Sequence, residues 1–438
     1  MKKNLLAAML LLSLSAHAKT FGSSDIHHVF ASLYDHNLSI KTAGIDVTKL
    51  EQEKRAGFAG YLPSVDVNYS ARDVARKKEK ELEYEDNNVE LRITQPLFDR
   101  KTIKANELAG GELRIARLQK EIAQTDAIFT LSGHLVEMLK TGFSIGVLEK
   151  RLTFLSEQQN KVEALASVGK ELDIESDRIA SDHRIAQAEL SQAELEHKNT
   201  KKQVALLTGV DLALSGVDAD FIPVLPHPYE LEHWLQVHAQ NNTDIRLFDY
   251  QKQVALMQLS QSRSDYYPKV EIYGAYKDFS TNVAENWQTT QEYVMGLQFT
   301  MNLYKGGSVS AGVESSRQDL LKEELNYTNA KLESENELTS LFYKLETDAN
   351  LIAAYSAAVN TKKQLFEQVE IAYEHGVTTN LDVLESQQEK LDTAQNYNDA
   401  LLDFVLDLLS FYKQAGVLDR NRAVATFTDL LQPTGEQH

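Results

Sequence analysis

Two periodicities alternate along this chain. From Val65 to Ala71 every second residue is apolar, with Val65, Val67, Tyr69 and Ala71 opposing Asp66, Asn68, Ser70 and Arg72. That is the pattern of a strand with one dry and one wet face. Three further stretches repeat it. Val89, Leu91 and Ile93 oppose Glu90, Arg92 and Thr94; Val270 and Ile272 oppose Glu271 and Tyr273; Met295, Leu297, Phe299 and Met301 oppose Gln298 and Thr300. Elsewhere the spacing is three and four, as in Leu384, Gln388, Leu391, Gln395, Asn398, Leu402, Val405, Leu409 and Tyr412. This is a helix seam whose early steps are polar, so that part of it is expected to face water. All seven prolines punctuate, and none falls between Pro96 and Pro223 or between Pro268 and Pro433. Proline breaks helix interiors, so long helices are expected in those gaps. A helix of about 50–60 residues would reach roughly 75–90 Å.

The pattern occurs twice. At an offset of 205, Tyr61, Pro63, Val65, Asp66 and Val67 fall on Tyr266, Pro268, Val270, Glu271 and Ile272, and Asn37 and Ile40 on Asn242 and Ile245. Leu91, Thr94 and Leu97 fall on Leu297, Thr300 and Leu303 one residue further along. At 207, Gly169 meets Gly376 and Gly209-Val210 meets Gly416-Val417. The chain is a duplication. Each half reads as helix, strand, polar loop, strand and helical hairpin, with first helices expected over residues 24–59 and 230–264. The loops are expected over 75–86 and 279–291, and the hairpin turns at Gly169 and Gly376, where glycine can take a left-handed conformation. The domains follow: a signal segment 1–18, a first repeat 19–215, a linker 216–229 with a short strand at 219–224, a second repeat 230–418 and a C-terminal tail 419–438.

Composition narrows the function. Lys2-Lys3, the apolar run from Leu5 to Leu14 and Ala16-His17-Ala18 have the grammar of a cleaved export signal. Removing its two lysines takes the net charge from −19 to −21, the wrong sign for nucleic acid and for anionic head groups. There is no cysteine, so an exported chain must be stable without disulfides. Beyond the signal no window has the run of about twenty apolar residues that a membrane helix needs. A membrane crossing would have to use the four strands, whose apolar-out, polar-in alternation suits a transmembrane barrel. Four strands cannot close, and an open edge in lipid is prohibitive. Three copies would supply twelve strands; two would supply eight and leave an interior filled by side chains.

Several motifs resemble the TolC-like outer-membrane efflux proteins: Leu62-Pro63-Ser64, the junctions Gln95-Pro96-Leu97-Phe98-Asp99 and Leu303-Tyr304-Lys305-Gly306-Gly307, and above all residues 373–385 at the second hairpin. The resemblance implies an α+β homotrimer, with a twelve-stranded barrel in outer-membrane lipid and a long periplasmic α-helical barrel below it. It further implies docking of the hairpin tips, Val168, Gly169, Gly376 and Val377, on a periplasmic adaptor coupled to an inner-membrane pump of ABC, RND or MFS type. By position, Asp382 and Glu385 resemble an acidic ring at the tunnel entrance, and Tyr373 a constriction residue. Thr378 stands where well-known members place an arginine, so one gate-locking salt bridge is not expected here.

Catalytic chemistry is not expected. Gly307 to Gly312 has phosphate-loop spacing, but Val313-Glu314 replaces the residues that bind phosphate and magnesium. There is no nucleophile elbow, no His-Glu-x-x-His motif and no histidine pair at metal spacing. Neither cofactor nor nucleic-acid partner is expected. The competing readings are a stand-alone diffusion porin, which would need many strands and little helix, and a periplasmic scaffold, which would have no use for alternating strands. The sequence therefore predicts a passive exit duct for an exporter energised by a partner.

Overall fold

The duplication is visible in the element bounds of the computed structural model, which describes residues 23–78, 80–167, 173–212, 230–283 and 286–431. The first half contains α1 (Ser23–His36), α2 (Leu38–Ala59), β1 (Ser64–Lys78), β2 (Lys80–Asp99), α3 (Arg100–Ser167) and α4 (Asp173–Thr208). The second contains α5 (Leu231–Asn241), α6 (Thr243–Ser262), a 3-10 turn (Arg263–Tyr266), β3 (Lys269–Val283), β4 (Asn286–Thr300), α7 (Ser308–Glu374) and α8 (Asn380–Gln414), followed by α9 (Arg420–Leu431). β1 moved by 205 residues coincides with β3, and α4 moved by 207 begins where α8 begins. The signal segment, the linker strand and the first turn with Val168 and Gly169 lie outside the described residues.

Two expectations are corrected. The first helix of each repeat is not continuous. Asn37 and Asn242 leave the helical conformation, and their side-chain oxygens accept from Ile40 N at 3.1 Å and Ile245 N at 2.9 Å. Each asparagine thus satisfies a free amide at the start of a new helix, which makes a break as favourable as continuation. The stretches 75–86 and 279–291 are not loops, since their described residues extend the strands: β1 pairs with β2 out to Lys78↔Lys80, and β3 with β4 out to Val283↔Asn286. Backbone pairing does not require apolar side chains, so a polar strand remains a strand where both its faces meet water.

The four strands form one antiparallel sheet in the order β1-β2-β3-β4. Register puts like with like: Val67↔Leu91, Leu91↔Tyr276 and Tyr276↔Tyr293 on one face, Asn68↔Glu90, Glu90↔Lys277 and Lys277↔Glu292 on the other. The apolar face is bare, with Met295 88% and Tyr293 80% exposed. It gives way to polar residues towards the far end of the strands, at the paired Asp278 and Gln291 in β3 and β4 and one step further out at Asn87 in β2. On the polar face Arg92 pairs with Glu90 at 3.9 Å and lies 4.9 Å from the Tyr273 ring, which itself covers Gly296.

At 68 and 67 residues, α3 and α7 are each about 100 Å long. The shorter helices stack along them, α2 and α4 on α3, α6 and α8 on α7, with α3 bridging the halves through α6 and α8. The main core sits mid-length. Phe404, Phe411, Leu408 and Leu409 of α8 meet Phe30 and Leu33 of α1, Leu131 and Met138 of α3 and Phe427 of α9. Residues 420–431, expected only as tail, are thus helical and anchored, with the Phe427 ring 6.0 Å from Phe30. A buried polar junction locks this region. Gln414 O accepts from Asn242 Nδ2 at 2.7 Å and from His238 Nδ1 at 2.8 Å, while Ser334 Oγ lies 3.1 Å from His238 Nε2. Burial pushes the His238 imidazole below its ordinary pKa, which keeps it neutral and suited to these bonds.

Candidate functional site

The described hairpin end is the turn between α7 and α8. Val377 N donates to Ala372 O at 2.9 Å and Gly376 N to Tyr373 O at 2.9 Å, with Gly376 at φ +70°. This pair of bonds closes the last turn of α7 and needs a left-handed residue, as expected at Gly376. Val377 is 79% exposed, so the turn presents an apolar side chain outward.

α8 starts with a reciprocal cap. Thr379 Oγ1 accepts from Asp382 N at 3.3 Å, and the Asp382 carboxylate accepts from Thr379 N at 2.8 Å and Thr379 Oγ1 at 2.6 Å, as well as from the Thr378 hydroxyl. Donation by the Thr378 and Thr379 hydroxyls and the Thr379 amide holds the Asp382 carboxyl down at about 2. Thr378 therefore serves the α8 cap. The cap was legible as Thr379-x-x-Asp382, although that pair drew no attention in the sequence. Asp382 and Glu385 share the exposed side of α8, while Val383, Ser386 and Gln387 are buried against neighbouring helices.

The depressed Asp382 pKa sets a pH window. An aspartate in an unfolded chain titrates near 3.9, so the cap contributes its full stability above roughly pH 4 and loses it as pH falls through about 2. Hydrogen exchange at residues 380–386, corrected for intrinsic rates, should show protection falling across that window. Asp382→Ala should abolish the dependence; an unchanged profile in that variant would show that the carboxylate does not hold the turn.

Behind the cap the seam of α8 changes character. Towards the base, Leu401, Leu402, Phe404, Val405 and Leu408 are buried in the main core. Towards the tip, the buried side includes Asn380, Ser386, Gln387 and Asn398, each with a side-chain atom that makes no hydrogen bond. Of the polar early steps of the ladder, Asn398 is buried, while Gln388 and Gln395 are half-exposed and donate to Asp392 at 2.7 Å and Asp399 at 3.1 Å. A second, smaller interface joins the hairpins, where Leu384 packs against Leu155, Val162, Ile179 and Ala186. Beside it runs a groove of about 300 Å³, into which Glu385 projects together with Arg151, Arg178 and Asp182. Sequence reasoning missed this groove, since its sides come from α3, α4 and α8.

The sheet is the other functional element. Its two outer strands, β1 and β4, each have one strand partner among the described residues. No described helix is long and apolar enough to cross a membrane.

The comparisons agree with this geometry. Residues 234–417 match the family described as outer membrane efflux protein. The alkaline protease secretion protein AprF of Pseudomonas aeruginosa is 23% identical over 243 residues, covering 54% of this chain and 50% of that protein. The chain thus matches about half the length of AprF. The proteases secretion protein PrtF of Dickeya chrysanthemi is 18% identical, with 88% of this chain and 86% of that protein aligned. The outer membrane channel CmeC of Campylobacter jejuni superposes with a TM-score of 0.77 at 14% identity, covering 99% of this chain and 98% of that one. The second half thus matches the outer membrane efflux protein family, and nearly the whole chain shares its fold with a solved outer-membrane channel.

Proposed function

We propose that this protein is a passive outer-membrane exit channel through which an exporter passes its cargo from the periplasm to the outside. The observation that carries this reading is the open four-stranded sheet, bare and apolar on one face and charged on the other, mounted on helices about 100 Å long. Lipid on the apolar face requires that both edges be paired. β1 and β4 run antiparallel to each other, so β4 of one copy can continue the antiparallel order beside β1 of the next. Such head-to-tail contacts close into a ring. Three copies give twelve strands and place Glu90, Arg92 and Lys277 in an aqueous lumen.

The helices continue the conduit through the periplasm to the tips, where Gly376 and Val377 meet an adaptor and, through it, an inner-membrane pump. AprF and PrtF are named for protease secretion, which supports a type I secretion system; the family description supports efflux equally well in mechanism. The chain itself does no chemistry in either case, and the pump supplies the energy.

In three copies Asp382 and Glu385 supply six carboxylates at the entrance, and a ring of acids favours cations and binds multivalent ones. The purified protein should be a trimer that forms cation-selective channels of low conductance in planar bilayers, blocked by trivalent cations from the tip side. Asp382→Asn combined with Glu385→Gln should weaken both selectivity and block. Unaltered selectivity and block would remove these acids from the entrance, and a stable monomer would remove the channel.

A further inference from the structure

We propose that copies of this chain join through an ionic seam between helices, with Lys198 and Lys202 on α4 of one copy facing Glu335 and Glu346 on α7 of the next. This rests on the ring of copies proposed above and names the helix faces that close it.

The long helices stand in the row α4-α3-α8-α7. α3 packs on both α4 and α8, α8 packs on α7, and α4 does not pack on α7. α4 and α7 are therefore the edges of the row, as β1 and β4 are the edges of the sheet. Burial shows what each edge lacks. Moved by 207 residues, the buried Leu131, Leu135 and Met138 of α3 fall on Leu338, Phe342 and Leu345 of α7, which are buried too. α3 has a second buried stripe, Ile128, Val136 and Leu139, and this one falls on Glu335, Tyr343 and Glu346, all exposed. On the other side, Leu402, Val405 and Leu409 of α8 are in the main core, whereas their counterparts Leu195, Lys198 and Lys202 on α4 are exposed. The faces that meet where the two halves join inside the chain are thus the ones left bare at its two edges. A repeated unit that buries a face against its neighbour needs an equivalent neighbour at the end of the row.

The two bare faces are opposite in charge, and among the described residues none of the four charged side chains forms an ion pair. The contact inside the chain supplies the register. There Lys413 of α8 pairs with Asp126 of α3, and Lys140 of α3 with Asp403 of α8, both at 2.7 Å. The same alignment between copies sets Leu206 against Glu333 and Glu196 against Thr347. Lys202 then comes within about a turn of Glu335, and Lys198 within about a turn of Glu346. One turn rises about 5.4 Å, which a lysine side chain can span. Exposed ion pairs add little affinity, but charges flanking a helix seam set partner and orientation. Here they reject α7 against α7, where acids would oppose acids. The contact is therefore head-to-tail, the kind that closes into a ring.

The chain has no cysteine, so an introduced pair reports one contact. Full-length protein carrying Lys202→Cys and Glu335→Cys, oxidised in membranes, should run as covalent dimers and trimers on non-reducing gels. Leu195→Cys with Glu335→Cys, two turns further along α4, should stay uncrosslinked. Adding Lys198→Glu to the first pair should slow its crosslinking about fivefold, the upper end for one exposed ion pair. Adding Glu346→Lys as well should restore the rate. A trimeric wild type whose Lys202→Cys, Glu335→Cys variant forms no intermolecular disulfide would overturn the proposal and leave the ring standing. So would equal crosslinking at Leu195, and an unchanged rate with Lys198→Glu would overturn the ionic character of the seam. A monomeric wild type would remove the ring itself, and the seam with it.

Discussion

Gly416→Ala should prevent the protein from reaching a stable assembled state, whereas Gly376→Ala should leave folding and assembly intact. Both glycines are left-handed, at φ +74° and +70°. They differ in what a new methyl group would meet. At Gly376 nothing lies within 4 Å. At Gly416 the added carbon would sit 2.3 Å from Asn241 C and O and 2.6 Å from Asn242 N, all backbone atoms of the α5–α6 break. That backbone cannot retreat cheaply, because Asn242 Nδ2 and His238 Nδ1 both bond to Gln414 O beside it.

Conformational strain at one residue costs about 1–3 kcal/mol and overpacking about 1–3 more. Gly416→Ala should therefore lose about 3–5 kcal/mol per chain, a large share of the margin by which a domain is stable. Gly209, its repeat mate at φ +71°, would first meet the ring of exposed His36, a side chain that can move aside, and should lose less. Thermal unfolding and the trimer recovered from membranes should rank the variants Gly376, then Gly209, then Gly416 in increasing damage. Equal damage at Gly376 and Gly416 would mean that strain, not the close approach, is the dominant cost.

Leu297→Arg should block insertion while its neighbour Gln298→Arg is tolerated. Leu297 is on the bare apolar face, paired with Ile272, and Gln298 is on the polar face, paired with Glu271. An arginine facing lipid near the middle of the apolar band costs about 2–4 kcal/mol. In a closed ring every copy carries that cost, so the yield of folded protein in vesicles should collapse. Gln298→Arg places its charge opposite the Glu271 carboxylate on the face proposed to line the lumen, so insertion should survive and cation preference should fall. If Gln298→Arg were the variant that fails to insert, the two faces of the sheet would have to be exchanged.

Sequence reasoning was most successful where the information is local. The period of two that separates Val65, Val67 and Tyr69 from Asp66, Asn68 and Ser70 is a property of the strand itself, and β1 and β3 appear where it predicts. Gly376 was legible because the end of a long helix needs a left-handed residue, and glycine adopts that shape at little cost. Asn37 and Asn242 were visible as a repeated pair yet silent as helix breaks. Asparagine also occurs inside helices here, as at Asn398, and only the direction of its side chain makes it a cap. Residues 75–86 were misjudged because side-chain polarity reports the solvent beside a strand and not whether its backbone is paired.

The candidate site divides in the same way. Thr379 and Asp382 are three residues apart, and their mutual cap follows from helix geometry alone. The groove at Arg151, Asp182 and Glu385 and the junction of His238, Ser334 and Gln414 join residues separated by tens to hundreds of positions. By itself the sequence determined the duplication, the two periodicities, the long proline-free helices and the apolar face of the sheet, because each is encoded in residues a few positions apart. Only the tertiary structure decided which polar groups are buried together, where the helices break and which carboxylates share a groove. Those outcomes depend on how 100 Å helices align side by side, and a small shift between them changes every pair that meets.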